Sequence, residues 1–382
     1  MLRKRGYVAC GPIVAALIVI LVSNREGSQL DTKGWLPDTG VWFLHQLITS
    51  LLPFAPPRSW RTTDAAIWQR YQDAHGTKEA PMVPIDEPNL ASLLAGETKL
   101  DLSRPAVLRG ALNLTHLGWG LDWLAESPRG DMVVDYFSDA SIPAKEGGSV
   151  PRSRAALRDI VSAFGIENAT IFPKVGTEMV FHKYPHLLQD LPLDKYASIF
   201  GYRWFDPRYV GTLLTVPVFL SRGTKAFDTA SSKGDDDDDD DAEITTTTTT
   251  KASSRTDLHC EPITNVCLHL VGRKRWTLVD PADSPGLRPA LSPDGRAYVF
   301  ANLDPDDPAI TRVRRYSAML EAGDILYVPA WWWHRVDYIE DQTALSMSLF
   351  HVNFEQMLGN NKLFFALVVP NLVKEVLGWN KQ

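Results

Sequence analysis

A chain of 382 residues, 45% of them apolar, is long enough for one large domain or two modest ones. Its 39 Lys and Arg against 46 Asp and Glu give a formal charge of -7, and the seven aspartates Asp235 to Asp241 account for all of it. The remainder balances near zero, so a nucleic-acid groove driven by net positive charge is disfavoured. Three cysteines (Cys10, Cys260, Cys267) build neither a multi-disulfide scaffold nor a four-cysteine zinc site, and the 12 Trp, 11 Tyr and 15 Phe point to an ordinary apolar core.

The chain opens with a membrane signal. Arg3, Lys4 and Arg5 precede the charge-free run Gly6 to Asn24, which as a helix spans about 28 Å, near the thickness of a thin bilayer. The cations ahead of it put the N-terminus in the cytoplasm and the rest in a lumen, with residues 1–25 as a signal anchor. Leu21 and Val22 do not make the paired small-residue site of a cleaved signal peptide, the competing reading that would give a secreted protein. The sequons Asn113-Leu114-Thr115 and Asn168-Ala169-Thr170 are usable in the endoplasmic reticulum or Golgi lumen.

Residues 26–100 read as a Pro-rich stem with a short helix around Ala65 to Ala74. From Arg104 the character changes: RPAVLRGALN and MVVDYF read as strands, and Val210 to Gly223 begins a β-rich half. The segment 229–254 is Ser, Thr, Gly and Asp with nothing to bury, and is expected to be a disordered insertion. The C-terminal stretch 354–382 has only the uncharged run Leu363 to Val373, too short to span a bilayer. Pro370 is expected to divide it into two helical pieces that cover a barrel edge or form a homodimer contact.

The chemistry follows the insertion. In Thr256-Asp257-Leu258-His259-Cys260-Glu261, residues i and i+2 of a strand project to one face about 6.6 Å apart, so His259 and Glu261 can converge on one metal ion. An isolated His-x-Glu is common and usually means two solvated side chains. The second cluster, EAGDILYVPAWWWHRV, adds His334 after a Gly-Asp turn and an apolar strand. Two imidazoles and a carboxylate on one face of a metal, with open positions opposite, suit non-haem Fe(II) oxygen chemistry.

These blocks resemble the JmjC and cupin-like oxygenases dependent on Fe(II) and 2-oxoglutarate, especially the asparaginyl-hydroxylase branch. The pattern Thr-x-x-His-x-Asp/Glu, then Asn, then Gly-x-Lys-Arg is met by Thr256, His259, Glu261, Asn265, Gly272, Lys274 and Arg275. Gly-Asp, Pro and Trp-Trp-His are met by Gly323, Asp324, Pro329, Trp332, Trp333 and His334, and Arg104-Pro105 with Leu108-Arg109-Gly110 looks like the group's opening. The resemblance implies a mainly β domain over 101–353, a double-stranded β-helix (jelly-roll or cupin) barrel with flanking helices. It implies His259, Glu261 and His334 as iron ligands, and Lys274 with Thr256 as the pair holding the distal carboxylate of 2-oxoglutarate. Asn265 and Ser348 then line the cosubstrate pocket. The reaction implied is hydroxylation of a protein or small-molecule substrate by dioxygen, coupled to decarboxylation of 2-oxoglutarate to succinate. Glu261 stands where asparaginyl hydroxylases carry Asp, and ALSMSLFHV offers Ser346 and Ser348 where many relatives carry Asn.

Other residues take plainer readings. His182 and His186 lack the intervening Glu of a zinc protease and read as polar surface; Trp331 to Trp333 read as packing; Cys260 and Cys267 differ in strand parity and so do not pair. Alternation puts Lys274 inward and its flanking arginines outward. Two other classes stay open: a catalytically silent cupin-like binding or scaffold protein, and a metal-dependent isomerase or hydrolase that turns over without oxygen.

Overall fold

The computed structural model describes residues 79–137, 153–164, 174–223, 255–291, 297–301, 303, 307–339 and 342–376. The expected anchor 1–25, the helix around Ala65 to Ala74, Asn168 and the insertion 229–254 lie outside the described residues. Among those described, no helix is long and apolar enough to cross a membrane.

Sixteen strands are formed by the described residues: β1 (Met82–Pro84), β2 (Ala106–Leu108), β3 (Val133–Phe137), β4 (Ser153–Ala156), β5 (Lys174–Thr177), β6 (Leu214–Thr215), β7 (Val218–Arg222) and β8 (His259–Cys260). They continue as β9 (Thr264–Val271), β10 (Arg273–Val279), β11 (Pro289–Leu291), β12 (Val299–Ala301), β13 (Arg315–Glu321), β14 (Ile325–Val328), β15 (Trp333–Tyr338) and β16 (Thr343–His351). One sheet runs β1-β13-β10-β15-β8-β12-β11; the other runs β2-β14-β9-β16-β7-β5-β3-β4, with β6 on β16. Consecutive strands change sheet at β9 to β10, β13 to β14 and β15 to β16. This alternation between two antiparallel walls is what a cupin barrel requires.

The first crossing depends on glycine. Gly272 has φ +71°, and a Cβ there would lie 2.1 Å from the Thr343 carbonyl oxygen, so no other residue fits the turn from β9 to β10. β9 reads as a near-continuous buried run because both its faces are covered. Val266, Leu268 and Leu270 pack outward against the helical layer that includes Phe181, Tyr196 and Phe200. Cys267 faces the other way, into an interior cluster with Leu326, Val328, Trp276, Leu278 and Leu320. β10 alternates as expected, with Lys274 buried between exposed Arg273 and Arg275.

Two boundaries differ from the sequence reading. The folded region begins before residue 101: β1 pairs in parallel with Arg315 to Ser317, and Ile85 joins the interior cluster. Pro84 is tolerated there because β1 is an edge strand. At the other end, Lys362–Val376 is one helix that continues through Pro370. The lost backbone hydrogen bond is offset by burial of Phe364, Leu367 and Val368 against Trp331 and Trp333, so this helix covers the barrel edge.

Candidate metal centre and cosubstrate pocket

His259 and His334 are direct partners across the antiparallel strands β8 and β15, with ring centroids 4.4 Å apart. Each Nδ1 lies against a backbone carbonyl, His259 on Asp257 O at 2.8 Å and His334 on Trp332 O at 3.0 Å. Only an N–H satisfies a carbonyl, so both Nδ1 atoms donate and both Nε2 atoms keep the lone pair that a metal takes. Glu261 Oε1 stands 3.8 Å from His259 Nε2. Burial, and then the neighbouring His259, push His334 down to about 3, which keeps it neutral, the form that ligates.

The ligand-bearing segments are fastened together. Trp331 N–H donates to Glu261 O at 2.8 Å, and Trp331 itself sits at φ +69°, a left-handed conformation that non-glycine residues rarely hold. That turn aims the following residues so that His334 lands opposite His259. His334 is buried, whereas the His259 and Glu261 side chains are 20% and 21% exposed, so the centre opens on their side. Tyr298 meets the His259 ring edge-on at 5.6 Å. The donor set fits Fe(II), with His259 close to both His334 and Glu261. Among the described residues, however, no group of three His, Cys, Asp or Glu is closed at ligand spacing.

Farther along the interior, Lys274 is 1% exposed and donates to Ser346 Oγ at 2.7 Å. Its Nζ also lies 4.9 Å over the ring of Tyr338, its partner in register on β15. Burial lowers the ammonium from 10.5 to about 8, and the Cys267 thiol beside it raises it slightly. Its partners are thus a hydroxyl, a π face and a thiol, with no carboxylate. Asn265 Oδ1, buried in the same interior, has no hydrogen-bond partner, and Ser348 Oγ, also buried there, meets the Cys267 thiol. A buried cation lacking a counter-ion fits an anionic, oxygen-rich guest.

Thr256 has a different immediate duty from the one the resemblance implies. Its N–H donates to Val336 O and its Oγ1 accepts from Val336 N–H, both at 2.9 Å, which ties the chain to the edge of β15. The hydroxyl touching Lys274 is that of Ser346. Sequence reasoning set Ser346 beside Ser348 without assigning it a role, and missed Tyr338 entirely. The available signal was parity: Tyr338 lies four residues after His334, and Ser346 two before Ser348, each on the same strand face. His182 and His186 are exposed, and Cys260 and Cys267 are free thiols in separate clusters, as expected. His269 and His351 are buried against backbone carbonyls, outside the metal centre.

Two facing sheets with a histidine pair across one strand boundary define the class, a cupin-like barrel. Residues 235–356 match the cupin-like domain family. The chain is 35% identical over 86 residues to HSPB1-associated protein 1 of Bos taurus, covering 21% of this chain and 18% of that one. It is 33% identical over 96 residues to tRNA wybutosine-synthesizing protein 5 of Mus musculus (24% and 29%), and 36% identical over 89 residues to Jumonji C domain-containing protein 5 of Drosophila melanogaster (22% of each). The similarity therefore spans less than a third of each relative's length.

Proposed function

We propose that the chain is an oxygenase dependent on Fe(II) and 2-oxoglutarate that hydroxylates a protein or small-molecule substrate. The observation that carries this is the His259 and His334 pair, in register with both Nε2 atoms free of backbone bonds, on the same barrel as a buried lysine without a carboxylate partner. His259, Glu261 and His334 would hold the metal, and Lys274 with Ser346 would hold the far carboxylate of the oxo-acid. Iron there would activate dioxygen, with 2-oxoglutarate oxidised to succinate and carbon dioxide as the electron source. The chain's own part is to orient both ligands, to keep His334 neutral and to exclude water from the Lys274 end by burying it.

The test is succinate formation from 2-oxoglutarate by the Fe(II)-loaded protein under air, with His259→Ala as control. Turnover that is lost in the variant supports the reading. Oxygen-independent turnover assigns a hydrolase or isomerase instead. A second reading, a cupin-like scaffold without turnover, is favoured by the absence, among the described residues, of a closed group of three ligands; absence of 2-oxoglutarate binding by calorimetry would favour it. We also propose that Gly6 to Asn24 anchors the protein with its barrel in the endoplasmic reticulum or Golgi lumen. Protease protection of a C-terminal epitope in sealed microsomes supports this, and digestion from outside refutes it.

A further inference from the structure

We propose that the indole of Trp276 is a cosubstrate-binding donor, its Nε1–H bonded to the metal-end carboxylate of the oxo-acid whose other carboxylate lies at Lys274. This rests on the oxygenase reading. Trp276 sits on β10 two residues from Lys274 and two from Leu278, the register partner of His334. Its own register partners, Ala318 and Val336, belong to the interior cluster, so its side chain enters the barrel between the lysine and the metal centre. Its ring centroid is 5.7 Å from that of His334.

Trp276 is 4% exposed, and its Nε1 is buried with no partner. The same molecule satisfies its other buried indoles nearby: Trp331 donates to Met357 O at 2.8 Å, Trp332 to Ser103 O at 3.2 Å and Trp333 to Ser284 Oγ at 2.8 Å. An indole N–H donates and never accepts, so its missing partner is an acceptor, and a carboxylate oxygen is the strongest one an oxo-acid offers. Lys274 and Ser346 already provide for the far end. The indole lies on the path from there to His334, which leaves the metal-end carboxylate as its partner.

The experiment uses the full chain loaded with Zn(II), a redox-silent and diamagnetic probe. The Trp276 indole nitrogen signal is assigned by its absence in Trp276→Phe, or in Trp276→Tyr if the first variant does not fold. Addition of 2-oxoglutarate should move this signal downfield, and Trp276→Phe should weaken calorimetric binding by about 10-fold, the effect of one hydrogen bond to a charged group. An unmoved signal in a wild-type protein that binds 2-oxoglutarate, with Lys274→Ala abolishing that binding, overturns the role of Trp276 and leaves the oxygenase reading standing. A wild-type protein that does not bind 2-oxoglutarate overturns both.

Discussion

Lys274 Nζ donates to Ser346 Oγ at 2.7 Å, and the two residues belong to opposite walls of the barrel, β10 and β16. The folded lysine titrates at about 8 against 10.5 unfolded, chiefly through burial. Below pH 8 the ammonium is charged in both states, and the folded state carries the full desolvation cost. Between 8 and 10.5 the unfolded chain holds more protons, so stability rises with pH. Lys274→Met should therefore stabilise the ligand-free protein at neutral pH by roughly 1–2 kcal/mol, after allowing for the stranded Ser346 hydroxyl. Urea unfolding at neutral pH and again near the top of that window measures it: the gain should shrink at the higher pH. A less stable variant at neutral pH would show that the lysine is there for the fold rather than for a guest.

The two serines of β16 should separate in the same assays. Ser346 holds the ammonium, whereas Ser348 Oγ meets only the Cys267 thiol, a weak partner. Ser346→Ala should weaken 2-oxoglutarate binding by about 10-fold. Ser348→Ala should change unfolding stability by less than about 0.5 kcal/mol, since only a weak bond to a thiol is lost. A Ser348→Ala variant destabilised beyond that would mean that its hydroxyl has a stronger partner in the free protein than the Cys267 thiol.

The pairing of His259 with Glu261 and the strand alternation were legible in sequence because both rest on short-range geometry. His259 and Glu261 are two residues apart on one chain, and Lys274 declares its inward face through its exposed neighbours. The partner of Lys274 was not legible, because it depends on how β16 pairs with β9, including the register shift between Leu345 and Ser346. Parity puts Ser346 on the face of Ser348, but a one-residue change of register turns every side chain of a strand over, so parity alone does not decide that Ser346 rather than Thr256 meets Lys274. The left-handed Trp331 was equally hidden: three tryptophans read as packing, and all three are buried. Only the backbone shows that the turn between them and Pro329 delivers His334 to its place.

Asp324, the Asp of the Gly-Asp turn, should prove structural. It is 4% exposed and accepts from Arg109 Nη1 at 2.6 Å, Gly110 N–H at 3.0 Å and Glu321 N–H at 2.9 Å. It thereby joins the Arg-Gly opening to the β13 to β14 crossing, and Arg109 also pairs with Glu87. Asp324→Ala removes the acceptor of two backbone amides and one of the acceptors of Arg109, which keeps Met319 O and Glu87. Because Arg109 is partly exposed, the expected loss is about 3 kcal/mol rather than the largest values seen for buried pairs. Chemical unfolding measures it directly. With Fe(II) and 2-oxoglutarate saturating, turnover of the folded fraction should be unchanged, since Asp324 touches neither the histidine pair nor Lys274.

The C-terminal helix should reach the metal centre through its packing. Phe364, 1% exposed, meets Trp331 edge-on at 5.9 Å and Trp333 at the same distance, and Trp331 N–H holds Glu261 O. Phe364→Ala opens a cavity under both indoles and should cost about 3–4 kcal/mol, while Phe364→Leu, which keeps most of the volume, should cost about half as much. The loosening falls on the segment that aims His334, so Zn(II) affinity should drop by about 10-fold in Phe364→Ala, as it does when a supporting shell is lost. Zinc titration of the folded variant reads this separately from stability. If affinity is unchanged while stability falls, the left-handed turn at Trp331 holds its geometry without the helix, and the aim of His334 is set by the β8 and β15 pairing alone.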